Sequence, residues 1–109
     1  MQIKKAVCAF TVGTAMLALS TPAAWAGGKE IFTAQGCNMC HTVTSQGIEG
    51  EAAMGAPDLS EVGTQHDADF IGKFIRQKAP LNGKMHLKKF SGTKEEWQEL
   101  VDWLSALGK

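Results

Sequence analysis

Two cysteines and a histidine lie within five consecutive residues, Cys37-Asn38-Met39-Cys40-His41, and this cluster constrains the fold more than any other feature of the chain. On a helical turn, side chains three and four residues apart project from nearly the same face. The two sulfurs and the imidazole can therefore reach one common group. The rest of the chain must fold so that this group is covered.

The C-x-x-C-H spacing is typical of covalent haem c attachment. Two thiols one turn apart can bond to the two vinyl groups on neighbouring edges of one porphyrin, and the histidine that follows can reach its iron. We therefore predict one haem c, attached through Cys37 and Cys40. His41 is the predicted proximal ligand.

The same residues have three other uses. A Cys37–Cys40 disulfide would close only a very short loop, which restricts the unfolded chain little. A thioredoxin-like pair belongs in an alternating strand and helix pattern, and no β-rich run precedes Cys37. A zinc site needs about four protein ligands, and only His66 and His86 remain, neither in a second short-spaced pair. Haem is the favoured interpretation among these alternatives.

The first 26 residues have the three parts of an export signal. Lys4 and Lys5 precede an uncharged, mostly apolar run over residues 6–19, and Ala24-Trp25-Ala26 places small residues at the two positions that a signal peptidase reads. The apolar run is shorter than the roughly 20 residues that a membrane-spanning helix needs. We predict a cleavable signal peptide over residues 1–26, a periplasmic location, and no stable membrane insertion after cleavage.

The predicted mature domain, residues 27–109, is one small domain. It holds nine basic and eleven acidic residues, a net charge of −2. At this size an apolar core alone contributes only a few kcal/mol, and small exported domains usually contain an additional stabilising group. A bound haem would supply the missing core.

The pattern of apolar residues predicts an all-α fold of about three to four short helices. Residues 29–35 form a short helix before the cysteine cluster, and residues 67–77 form an amphipathic helix that Pro80 stops. Residues 42–55 show no period and are expected to be a solvated loop, and no strand signal is found.

The last helix has the clearest signals. Thr93-Lys94-Glu95-Glu96 is a capping box. An apolar face follows at helical spacing, made of Trp97, Leu100, Val101, Leu104 and Leu107. We expect Trp97 and Trp103 to pack in the core rather than to line the haem.

Taken in order, these features resemble those of the exported bacterial monohaem class I c-type cytochromes. The resemblance covers the mature chain and rests on Gly28-x-x-x-Phe32, the cysteine cluster, Gly55-Ala56-Pro57-Asp58-Leu59, Met85 and the terminal helix around residues 97–107. It implies a small helical bundle wrapped around one haem. It also implies that the first and last helices cross closely at Gly28.

The resemblance further implies the residues around the iron. The Pro57 carbonyl is expected to accept the Nδ1–H of His41, and Met85 is expected to be the distal ligand. Met54 is an alternative, and the chain departs from the family pattern because His86, not proline, follows Met85. Neighbouring side chains in an extended loop point to opposite sides, so one of Met85 and His86 should face outward. A thioether ligand raises the reduction potential, and a second imidazole lowers it.

Two function classes follow. The favoured one is a one-electron carrier, or the haem subunit of a redox enzyme, with no catalysis of its own. The chain has no tyrosine and no evident Ser/His/Asp arrangement. The alternative is a haem protein with an open or labile sixth position that acts as a peroxidase or binds a gas.

Charge is distributed unevenly along the mature chain. Residues 27–69 hold one basic and seven acidic residues, whereas residues 70–94 hold seven basic residues and no acidic one. The basic residues of this basic segment, residues 73–94, are Lys73, Arg76, Lys78, Lys84, Lys88, Lys89 and Lys94. We expect acidic redox proteins to dock near it. Nucleic acid is not an expected partner, because the mature chain is acidic overall and exported.

Overall fold

The computed structural model describes residues 27–50 and 55–109. The predicted signal peptide, residues 1–26, and the alternative ligand Met54 lie outside the described residues. In the described part, four α-helices follow one another: α1 (Gly28–Ala34), α2 (Val62–Gln65), α3 (Ala68–Ile75) and α4 (Lys94–Ala106). Pairing between extended segments in this part is limited to two isolated bridges. The all-α prediction is confirmed.

Helices α1 and α4 pack against each other and form the centre of the core. Phe32 and Leu100 are almost fully buried, and the ring centroids of Phe32 and Trp103 are 5.5 Å apart. A Cβ atom on Gly28 would overlap the Cβ of Trp103, so only glycine allows the two backbones to approach this closely. The predicted crossing of the first and last helices at Gly28 is thus confirmed.

The N-terminus of α4 is fixed by the predicted capping box. The Glu96 amide donates to Thr93 Oγ1 at 3.1 Å, and the Thr93 amide donates to Glu96 Oε1 at 2.8 Å. These bonds satisfy backbone donors that have no partner within the helix. Leu100, Val101 and Leu104 then lie on the buried face.

Helix α3 is shorter than the predicted range of residues 67–77. Asp67 caps its start by accepting from the Phe70 amide at 2.8 Å, and the helix has ended before Gln77, whose φ of 59° is left-handed. Trp97 fastens α3 to α4, because its indole Nε1–H donates to the Gly72 carbonyl at 3.1 Å. Trp97 is only partly buried and packs between α3 and α4 outside the core cluster, whereas Trp103 packs against that cluster, so the prediction of core packing holds for Trp103 and not for Trp97.

The expectation of a solvated loop over residues 42–55 is wrong for its first part. Val43 is 0% exposed and Ile48 is 7% exposed, and both belong to the core. Their backbones pair at N···O distances of 2.9 and 3.1 Å, which closes a small turn over the polar residues between them. The sequence pattern missed this because two apolar residues in an irregular turn have no period.

No helix in the described ranges is both long enough and apolar enough to cross a membrane. The longest of them, α4, has 13 residues.

Candidate functional site

A cavity of about 370 Å³ opens among α1, α3, α4 and residues 81–88. We call residues 81–88 the distal segment. The size of the cavity falls in the range of about 300–1,000 Å³ that is usual for small-molecule and cofactor sites. Its walls are largely apolar and include Phe32, Phe70, Ile71, Phe74, Leu100 and Leu104. An apolar group of cofactor size can therefore complete the core at this place.

The cysteine cluster forms one wall of this cavity. Cys37, Cys40 and His41 all line it, as the sequence predicted for residues that serve one group. A short 3-10 turn, Cys37–Met39, brings them together, and the Cys37 carbonyl accepts from the Cys40 and His41 amides at 3.2 and 2.9 Å. The i to i+3 spacing thus places both sulfurs on the side of the chain that faces the cavity.

The two cysteines are free thiols, and neither is fully buried. Burial is the largest influence on the Cys37 thiol and raises its pKa. Thiols that act in redox exchange instead have a lowered pKa, which keeps them ionised near neutral pH. The surroundings of Cys37 therefore do not favour thioredoxin-like chemistry.

His41 is oriented by a hydrogen bond to the backbone of a distant segment. Its Nδ1 lies 2.7 Å from the Pro57 carbonyl oxygen, which can only accept, so Nδ1 carries the proton and Nε2 keeps its lone pair. Burial lowers the pKa of His41, which favours the neutral ring. A neutral imidazole with a committed Nδ1 is the usual state of a metal-binding histidine.

Asp58 holds the segment that contains Pro57, and sequence reasoning gave it no role. Its Oδ1 accepts from Thr42 Oγ1 at 2.6 Å and from the Thr44 amide at 2.9 Å, and its Oδ2 accepts from the Ser60 amide at 3.0 Å. These bonds hold the pKa of the Asp58 carboxyl well below its usual range, and the bond to the Thr42 hydroxyl has the largest effect. The one signal in the sequence was an aspartate directly after proline in an irregular segment.

The distal segment forms the opposite part of the cavity lining. It begins with a tight turn in which the Leu81 and Lys84 backbones pair, and Asn82 and Gly83 take positive φ values of 52° and 80°. Asn-Gly is the usual signal for such a turn, and sequence reasoning did not use it. The turn leads directly into Met85 and His86, and both line the cavity.

Met85 and His86 have different surroundings. The Met85 side chain is 49% exposed, whereas His86 is partly buried. His86 Nδ1 lies 2.5 Å from the Lys88 carbonyl oxygen, and the His86 ring lies 5.1 Å from the Phe74 ring at an angle of 60°. Gln77 Nε2 donates to the His86 carbonyl at 2.8 Å. Sequence reasoning did not find these supporting roles of Phe74 and Gln77.

Some cations of the basic segment are engaged within the fold. Lys73 forms an exposed ion pair with Asp69 at 3.0 Å, and the Arg76 guanidinium lies 4.5 Å from the centroid of the Trp97 ring. Lys84 and Lys89 are exposed on either side of the residues that line the cavity, and Lys88 itself lines it. Three lysines, Lys84, Lys88 and Lys89, therefore lie in or next to the distal segment, and we call them the basic rim.

The residues present fit a covalently attached haem. Apolar walls suit the porphyrin, two thiols lie on one wall, and His41 offers a neutral imidazole with a free Nε2. In the described ranges, no group of three or more His, Cys, Asp or Glu side chains is arranged to hold a metal ion directly.

The comparisons with known proteins gave one match. The family model described as Cytochrome c matches residues 25–108. No curated protein and no solved structure matches the chain significantly.

Proposed function

This chain belongs to the cytochrome c family, as a class I c-type cytochrome, and from that premise we propose that it carries single electrons between redox proteins of the periplasm. Membership of the family supports a haem-based electron carrier. When bound, the haem supplies an iron that gains and loses one electron reversibly. The protein sets the ligands of that iron, its access to water and its contacts with partners.

The observation that carries this proposal is the placement of donors on both sides of one apolar cavity. Cys37, Cys40 and His41 lie on one wall, and Met85 and His86 line another part of the same cavity. Protein donors at both places would leave no open position on a bound haem for a substrate. Such a site favours electron transfer over substrate binding.

Each residue of the site has a defined task in this proposal. Cys37 and Cys40 hold the haem covalently, and His41 is the proximal ligand. Pro57 fixes the orientation of the His41 ring through the bond of 2.7 Å to Nδ1. The distal segment supplies the sixth ligand, for which the sequence predicts Met85. The apolar residues of α1, α3 and α4 exclude water from the porphyrin faces.

The basic rim of the opening supports the proposal that acidic redox proteins dock there. Transient electron-transfer contacts are small, and complementary charge accelerates the encounter without making the complex long-lived. The signal-like pattern of residues 1–26 supports export as the route to these partners.

One experiment tests the proposed function directly. The protein is expressed with the haem maturation machinery, and its mass and pyridine haemochrome spectrum are recorded. We expect a mass increase of one haem and a reduced protein that does not bind carbon monoxide promptly. A Cys37→Ala/Cys40→Ala variant is the control and should be colourless.

A colourless wild-type protein would contradict the whole proposal. Prompt, stoichiometric carbon monoxide binding at neutral pH would instead favour the alternative class, in which the sixth position is open for peroxidase or gas-binding chemistry. Haem content and carbon monoxide binding are measured on the same preparation, so the two outcomes can be distinguished.

A further inference from the structure

We infer that His86, rather than the sequence-predicted Met85, is the sixth ligand of the iron. This inference rests on the proposed function, because it concerns the same haem. It is carried by the contacts that hold the His86 ring, by the position of this ring relative to His41, and by the exposure of Met85.

Three contacts hold His86, one from its own segment and two from the C-terminal end of α3 and the residues that follow it. The Lys88 carbonyl binds Nδ1 at 2.5 Å, the Phe74 ring packs edge-on against the imidazole, and Gln77 Nε2 binds the His86 carbonyl at 2.8 Å. A histidine on the surface of a loop is usually free to rotate, and this one is fixed in both backbone and ring. A hydrogen bond to Nδ1 is what orients a ligating histidine.

The bond to Lys88 also determines the tautomer. A carbonyl oxygen can only accept, so Nδ1 of His86 carries a proton, and in the neutral ring Nε2 has the lone pair that a metal requires. His41 is in the same state because of the Pro57 carbonyl. Two histidines lining one cavity thus both keep Nε2 available for a metal.

The spacing of the two rings matches one shared iron. The centroids of His41 and His86 are 6.1 Å apart, and the ring planes differ by 7°. Two imidazoles on opposite sides of one metal, each with a metal–nitrogen bond of about 2 Å, have centroids roughly 6 Å apart.

Met85 has a less constrained position. Both Met85 and the neighbouring Leu87 line the open cavity, with exposed fractions of 49% and 73%. A methionine side chain has three rotatable bonds and fills irregular gaps without a fixed geometry. Met85 therefore covers the edge of the opening, and the ligand role falls to its more buried neighbour.

Ligation by two histidines changes the expected redox range. A thioether stabilises ferrous iron and raises the potential, whereas a second imidazole favours ferric iron. Replacing Met85 with another apolar residue should then leave the potential near that of the wild type. Replacing His86 should change both the potential and the spectrum.

The first part of the test uses the wild-type ferric protein. We expect electron paramagnetic resonance to give the low-spin signal of two imidazole ligands, and the weak far-red charge-transfer band of a thioether–ferric bond to be absent. If that band is present and disappears in Met85→Leu, the inference is wrong. This part needs no His86 variant, so it decides the matter even if such a variant fails to fold.

The second part compares variants in a background without the competing thioether. Met85→Leu should stay low-spin, and Met85→Leu/His86→Ala should lose the low-spin spectrum and recover it when imidazole is added. His66→Ala is the matched control, because His66 also lines the cavity but packs its ring on Phe70. A Met85→Leu protein that loses the low-spin spectrum, or a double variant that keeps it, overturns the inference. Haem content, measured in every sample, separates these outcomes from failure of the proposed function.

Discussion

The Asp58 carboxylate shows how a single exposed side chain supports the position of His41, the predicted haem ligand, without touching it. It binds Thr42, the residue after His41, and it follows Pro57, whose carbonyl orients the His41 ring. The segments on both sides of the His41–Pro57 bond are thus fastened to each other. Loss of this carboxylate should loosen that bond although the ligand itself remains.

We predict that Asp58→Asn destabilises the folded protein near neutral pH, because an amide cannot accept all the bonds that the carboxylate accepts. The folded-state pKa of Asp58 lies below the value of about 3.9 for an unfolded chain. Its contribution is therefore present above that pH and is lost as the pH falls toward the folded-state pKa. Thermal unfolding from pH 7 to pH 2 should show wild type and variant converging in acid.

Asp69→Asn is the matched control for this prediction. Asp69 forms an exposed ion pair with Lys73, and such pairs contribute only about 0.3–0.5 kcal/mol within a helix. A difference between wild type and Asp58→Asn that stays constant down to pH 2, or that is no larger than that of Asp69→Asn, would contradict the role of Asp58.

At the scale of elements, the crossing of α1 and α4 sets the position of the cysteine cluster. The cluster begins three residues after Ala34, the last residue of α1, and Phe32 of α1 is both core and cavity wall. The direction of α1 therefore determines where the thiols lie. Gly28 allows the contact with Trp103 that fixes this direction.

We predict that Gly28→Ala lowers the free energy of unfolding by about 1–3 kcal/mol, the usual cost of overpacking. At a helix position with free space around it, the same change would raise the free energy of unfolding by roughly 0.5–1 kcal/mol. Whether Gly28→Ala lowers or raises this free energy therefore tests the close contact between Gly28 and Trp103. Denaturant unfolding of the haem-loaded protein measures it. The control is Gly27→Ala, one residue earlier and exposed, which should change stability less.

At the scale of the molecule, the cavity lies among core residues. Phe32, Ile71, Leu100 and Leu104 belong to the hydrophobic core and also line the cavity. An apolar cavity of about 370 Å³ that opens to solvent leaves these core side chains without packing partners on one side. We therefore expect the haem-free chain to be much less stable than the haem-loaded protein.

We predict that the Cys37→Ala/Cys40→Ala protein, purified without haem, loses most of its helical circular dichroism signal at 25 °C. The physical reason is that the porphyrin completes the core. The haem-loaded wild type is the control. A haem-free variant that unfolds cooperatively with full helix content would show that the chain forms its core alone.

The basic rim leads to a prediction at the same scale. Electrostatic steering raises association rates by about 10–10³-fold in total, so one of several lysines should account for roughly a twofold change. We expect Lys89→Gln to slow electron transfer to an acidic partner by about that factor at low salt, and to have no effect at high salt.

Lys29→Gln is the matched control, since it removes the same charge from the acidic part of the sequence. It should leave the rate nearly unchanged. Equal effects of the two substitutions would mean that net charge acts instead of a local docking surface, and a rate independent of ionic strength would exclude steering altogether.

Much of this architecture could be predicted because its signals are local. The capping box at Thr93 and Glu96, the apolar face of α4 and the spacing of the cysteine cluster each depend on residues within a few positions of one another. Val43 and Ile48 escaped prediction because their burial depends on helices that are distant in sequence. Asp58 escaped because its partners near residue 42 are brought to it only by folding.

The amino-acid sequence by itself determined the family, the attachment turn and the helical class, since a fixed spacing of reactive side chains and a helical period need no tertiary contact to be read. The choice between Met85 and His86 needed the tertiary structure, because adjacent residues in an irregular segment have no period to say which one faces inward. Our inference that His86 is the ligand rests on Phe74 and the Lys88 carbonyl, which contact its imidazole, and on Gln77, which binds its backbone carbonyl.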